Sequence, residues 1–170
     1  IRKSLLAKVL SDLREMQEQK PDDYRRFHEL FGRSVKEGLC VDFEHYDKLK
    51  ELVLFPSTFG DKAEPVALKD YVGRMVPEQG AIYYCVGESL ETVAKAPQLE
   101  AFRSRGYEVL LLTDPVDEWV VQRLREYDGK GLRGVHETGA DPRSEDERRK
   151  DEEHRQALDG GGEPLLKALR

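Results

Sequence analysis

The sequence is poor in the residues that staple small secreted or metal-bound domains together. Cys40 and Cys85 are its 2 cysteines in 170 residues, too few for a disulfide framework or a cysteine-built zinc site. That usage fits a reducing compartment, and a cytoplasmic location is expected. No apolar run approaches the roughly 18 residues of a membrane span, and the apolar core of a secretory signal is missing, so no membrane partner is expected. The 4 histidines, His28, His45, His136 and His154, share no ligand spacing, which argues against a metal site. Positive charge is not in excess either. Lys plus Arg is 28 against 34 Asp plus Glu, a net charge of −6, and the isoelectric point is about 5.4. A general nucleic-acid binder is excluded on that balance. Walker and GxGxxG loops are absent, as are internal repeats.

What is present is charge and helical periodicity. Charged residues make up 36% of the chain, above the roughly 25% of an average domain. A chain of 170 residues buries roughly two-thirds of its unfolded surface, enough for one real core. Ile1, Leu5, Leu6, Val9, Leu10, Leu13 and Met16 follow helical spacing and predict an amphipathic helix over 1–19. Lys20-Pro21 ends it. A second helix starts near Pro21, with Asp22 and Asp23 in its first turn, and Gly38 is its expected stop. A third starts from an Asp42 N-cap, with Phe43, Tyr46, Leu49, Leu52 and Val53 inward. Phe55 to Asp61 reads as a loop, and 67–75 as a short helix.

Then the pattern changes. Residues 81–86 and 107–112 read as strands, the second apolar almost throughout, as in a parallel sheet covered on both faces. Helices are expected over 89–104, interrupted at Pro97, and over 115–127, with a weak third strand at 132–135. After Gly139 the composition shifts: ten of the twelve residues 144–155 are charged. They read as a solvated helix laced by Glu145–Arg149, Asp146–Lys150 and Asp151–Arg155 pairs. Gly160-Gly161-Gly162 is a flexible break, and Pro164 opens a further helix. The expected fold is α/β: an N-terminal helical segment, a small three-layer α-β-α unit with a short parallel sheet, then a charged helix. A first residue of Ile1 and a last helix cut short predict a piece of a larger protein.

Few places invite chemistry. The first strand ends in Gly87-Glu88-Ser89, where backbone N–H groups can meet a phosphate; Ser89 as a helix N-cap accounts for the same residues. The second ends in Thr113-Asp114-Pro115. An Asp at a strand tip can accept a phosphoryl group or hold magnesium, as in a small Rossmann-like or phospho-receiver domain. No paired acids precede it, and Asp114 capping the helix opened by Pro115 also explains it. Cys85, mid-strand, reads as a small buried hydrophobe, and Cys40 has no companion His, so neither is an expected nucleophile. Asp117 and Glu118 suit the positive end of a helix dipole. Trp119, the single tryptophan, has two readings: packed in the core, or an exposed anchor for a partner.

Several segments together resemble the ninety-kilodalton heat-shock protein chaperones, in particular the bacterial form. They are Ile1-Arg2-Lys3-Ser4-Leu5-Leu6, the run from Leu68 to Met75, Ile82-Tyr83-Tyr84, Arg105 to Leu110, Asp117-Glu118-Trp119, and Tyr127-Asp128-Gly129-Lys130. They keep the family's order and spacing over about residues 1–135. The resemblance implies a dimeric, ATP-dependent parent with nucleotide, middle and dimerisation domains. Residues 1–60 would be the middle domain's helical linker, 61–139 its small α/β subdomain, and 140–170 the charged start of the C-terminal domain. ATP and magnesium would belong to the parent. The family's nucleotide-binding acid and glycines, and its γ-phosphate-contacting Arg, would lie outside this chain. No catalytic or cofactor-binding residue carries over, and the segment alone is not expected to hydrolyse ATP. Implied partners are unfolded or partly folded clients, the neighbouring N-terminal ATPase and C-terminal domains, and a second parent copy. In bacterial members the face around this tryptophan contributes to client contact, which implies Trp119, Glu118 and Val120 as client-binding residues. Residues 140–170 depart from the family pattern in their heavier charge and glycine run.

Overall fold

A computed structural model describes residues 2–60, 62–143, 146, 149, 150, 152–154 and 156. Three helices come first. α1 (Arg2–Gln19) and α2 (Pro21–Val41) meet at the Lys20-Pro21 break, as the sequence predicts. Only the C-terminal half of the α1 stripe is covered: Leu10 is buried and Leu13 and Met16 pack on it, while Leu5, Leu6 and Val9 face outward.

Gly38 does not stop α2. The helix runs on to Val41, and the N–H of Asp42 closes it on the carbonyl of Gly38 at 2.8 Å. Gly38 instead faces Leu49 of α3 (Tyr46–Leu52), whose side chain would lie 3.6 Å from an added Cβ. That is ordinary van der Waals contact, so position 38 packs on α3 inside the helix rather than ending it. Asp42 is therefore the end of α2 rather than the N-cap of α3. Its carboxylate accepts the His45 backbone N–H at 3.0 Å and faces His45 Nδ1 at 2.9 Å, bracing the turn between the two helices. Phe43, expected inward, lies in that turn and is 73% exposed.

The expected loop at 55–61 contains a strand. β1 (Leu54–Pro56) pairs antiparallel with β2 (Pro65–Ala67). The chain beyond β1 docks on the sheet edge: Ser57 bridges Leu110, and Thr58 donates its N–H to the Val109 carbonyl at 2.9 Å. β2 runs directly into α4 (Leu68–Arg74).

The second half carries β3 (Ile82–Val86), α5 (Leu90–Ala94), α6 (Leu99–Arg103), β4 (Val109–Leu112), α7 (Asp117–Leu124), β5 (Glu126–Tyr127) and β6 (Lys130–Gly134). The strand order is β4-β3-β6-β5, with β3 parallel to both β4 and β6. β5 and β6 form a hairpin through Asp128-Gly129, both at positive φ, +49° and +72°. Aspartate followed by glycine is the sequence signature of such a two-residue turn.

Side chains of β4 alternate between two cores, as the period of a strand requires. Leu110 and Leu112 join the larger core with Tyr24, Leu39, Leu52, Phe55, Tyr71 and Val120. Val109 and Leu111 join the smaller one with Tyr83, Val93, Leu99 and Phe102 under α5 and α6. The sheet is thus the middle of three layers, as expected. In the charged stretch, Asp146, Arg149, Lys150, Glu152, Glu153, His154 and Gln156 are helical. There Arg149 pairs with Asp146 at 3.1 Å. Glu145, Asp151 and Arg155 of the expected pairs, the glycines at 160–162 and Pro164 lie outside the described residues.

Candidate functional site

α7 carries the residues of most interest. Val120 and Leu124, four apart, form its inward stripe. Val120 has no exposed surface and packs in the larger core, so it is not on the exposed face of this fold. Trp119 sits one step round the helix and is 68% exposed, which decides between its two readings in favour of the surface. Glu118 beside it is exposed as well. A large aromatic ring held in water on a rigid helix is the kind of group that anchors partners.

Both ends of α7 are fastened. At its start, Asp117 is buried and its Oδ1 lies 2.6 Å from Lys36 Nζ of α2. The pairing is one of charges in contact rather than an aligned hydrogen bond. The other carboxylate oxygen of Asp117 accepts the Asp114 N–H at 3.1 Å. The dipole argument alone missed this partner. The available signal was Lys36 itself, set between the inward positions Gly32, Val35 and Leu39 of α2. At the other end, the Arg123 guanidinium stacks on Phe43 at 4.3 Å and Tyr46 at 4.8 Å.

The remaining sequence candidates are placed apart from one another. Asp114 accepts the Val116 N–H at 3.1 Å, so it does brace the turn ahead of α7, although the helix begins at Asp117 rather than Pro115. Ser89 caps α5 by accepting the Thr92 N–H at 3.2 Å. A Cβ on Gly87 would come within 2.8 Å of the Val93 Cβ. That glycine makes room for α5, and the cap and the close packing account for the residues of the strand-end loop. Cys85 is buried, with burial raising its thiol pKa, and its sulfur lies 4.0 Å from His136 Nε2. His28 accepts the Leu54 N–H at 3.0 Å through Nε2, and burial lowers its pKa to about 4. Among the described residues, no three His, Cys, Asp or Glu are grouped to hold a metal ion, and no helix is long and apolar enough to cross a membrane.

Comparison with known proteins fixes the lineage. The profile described as "Hsp90 protein" matches residues 1–170, the whole chain. The chain belongs to the Hsp90 family. Relatives in this family include the chaperone protein HtpG of Geobacter sulfurreducens, 47% identical over 156 residues, covering 92% of this chain and 24% of that protein. HtpG of Mycobacterium avium is 47% identical over 147 residues, covering 86% of this chain and 23% of that protein. The chain thus spans about a quarter of the length of the curated Hsp90 relatives it matches. Among solved structures, the middle domain of a Plasmodium falciparum heat shock protein superposes with a TM-score of 0.72 at 30% identity. That match covers 79% of this chain and 56% of the other. Hsp90 membership and this middle-domain likeness displace the phospho-receiver reading of Asp114.

Proposed function

We propose that this chain is the client-contact and coupling segment of an ATP-dependent chaperone. In this reading residues 1–60 are the helical linker of the middle domain, 61–139 its small α/β subdomain, and 140–170 the entry to the C-terminal domain. ATP and magnesium act in the parent protein, a cytoplasmic homodimer, and not on this segment. Non-native polypeptides meet the α7 face through Trp119, with Glu118 beside it, and the segment transmits the parent's rearrangements between its neighbouring domains.

The observation that carries the reading is the exposure of Trp119. A protein gains nothing in its own stability from a solvated indole on a helix, and such rings are enriched where partners bind. Apolar segments exposed on a non-native chain are the natural complement of an aromatic surface rimmed with charge. Trp119→Arg tests it. The substitution keeps the fold, because surface changes away from packed features shift stability by about 0.5 kcal/mol or less, and it weakens binding of an unfolded client. A variant that binds the client normally refutes the assignment of Trp119.

A further inference from the structure

The Lys36–Asp117 pair needs an explanation that stability does not supply. Its side chains are only 8% and 2% exposed. Taking two charges out of water costs several kcal/mol per ion, and well-packed apolar residues of similar volume often serve stability equally well. What this ion pair adds is direction, since the two buried charges stay in contact in one register only, without an aligned hydrogen bond.

The geometry around the pair is set up to use that direction. Lys36 Nζ lies 5.1 Å from the centre of the Phe55 ring as well as 2.6 Å from Asp117. One ammonium therefore joins α2, β1 and the first turn of α7. Asp117 also holds the Asp114 N–H, so the approach to α7 is fixed with it. Trp119 follows two residues later on the same short helix. Any roll of that first turn swings the indole. The far end of α7 is held by stacking of Arg123 on two rings, a contact that tolerates sliding.

We propose that Lys36 and Asp117 are positioning residues for the Trp119 surface: their buried pairing sets the roll of α7 and so the direction in which the indole meets a partner. The functional half of this rests on the client-contact reading above. The structural half does not, because Trp119 is the single tryptophan of the chain and reports on α7 directly.

The test replaces the pair by apolar residues, Lys36→Met with Asp117→Leu, in the chain labelled with 5-fluorotryptophan. Three quantities are read: the melting temperature, the single ¹⁹F resonance, and affinity for reduced, carboxymethylated α-lactalbumin as an unfolded client. The expected result is a melting temperature within a few degrees of the parent. With it come a shifted or split fluorine resonance and client affinity weakened by about tenfold, the effect of a coupling of ordinary size. A folded variant with the parent's resonance and affinity overturns the proposal. If the double variant does not fold, Lys36→Gln with Asp117→Asn, which removes both charges and keeps both volumes nearly unchanged, takes its place with the same two outcomes. If Trp119→Arg leaves client affinity intact, the client reading is what fails, and the fluorine resonance alone decides the positioning role.

Discussion

The hydroxyl of Tyr71 accepts the backbone N–H of Tyr83 at 3.0 Å. A side chain of α4 thereby satisfies a donor in the strand at the centre of the sheet. The same hydroxyl accepts from Gln79 Nε2 at 2.8 Å and donates to the Glu108 carbonyl. Burial raises its pKa far above the ordinary tyrosine value, so the proton stays on the oxygen. Tyr71→Phe removes one atom and takes this partner from the Tyr83 N–H and the Glu108 carbonyl, while Gln79 Nε2 keeps the Ala81 carbonyl at 2.9 Å; a polar group buried without a partner costs about 1–3 kcal/mol. The expected loss of stability is about 2 kcal/mol or more, read from urea denaturation. A change within 0.5 kcal/mol, about the noise of such a comparison, would show that the network is dispensable.

Gly32 and His28 form a second pair with a measurable consequence. A Cβ at position 32 would lie 2.5 Å from the imidazole, and the ring cannot simply turn away because it accepts the Leu54 N–H. Alanine in place of a helical glycine normally gains about 1 kcal/mol. Here Gly32→Ala should destabilise by about 1 kcal/mol or more through overpacking. In a His28→Ala background the same change should stabilise. A double-mutant cycle on unfolding free energy shows this as a reversal of sign; the same sign in both backgrounds contradicts it.

His28 also gives the fold an acid limit. Its pKa is lowered to about 4, first by burial and then by the Lys36 charge, and its Nε2 must stay unprotonated to accept from Leu54. The unfolded chain takes up this proton below its ordinary value near 6.5, while the folded chain resists it until about 4. The unfolded state binds more protons across that window, so stability is complete above it and falls as pH drops through it. The loss expected from this group is about 2 kcal/mol, discounted for its partial exposure. Urea midpoints from pH 7 to pH 4.5 should fall more steeply in the parent than in His28→Gln. Parallel profiles would remove His28 from the account.

Much of this architecture was legible because it is written in local pattern. The break at Lys20-Pro21, the four apolar residues of β4 and the Ser89 cap each follow from a short stretch of sequence. What was not legible depends on partners distant in the chain. Leu54-Phe55-Pro56 is too short to announce a strand; pairing with Pro65–Ala67 makes it one. Gly38 looks like a helix stop until α3 is seen packing against it. The β5–β6 hairpin was signalled by Asp128-Gly129, but the shortness of β5 hid it. At the candidate surface, acids precede Trp119 and valines follow it in sequence, so periodicity over so short a stretch could not choose which residue faces out. The choice is made by Val120 and Leu124 packing inward and by Lys36 holding Asp117.

The central claim is that non-native polypeptide touches the face bearing Trp119. A photo-crosslinking amino acid placed at position 119 tests this most directly, with the same group at Leu30 as control. Leu30 is 78% exposed on α2, so it matches position 119 in bare apolar exposure. The account predicts strong crosslinks from position 119 to an unfolded client, weak ones to the same client in its native state, and weak ones from position 30 in both cases. Equal yields from the two positions, or equal yields with native and unfolded client, would contradict it.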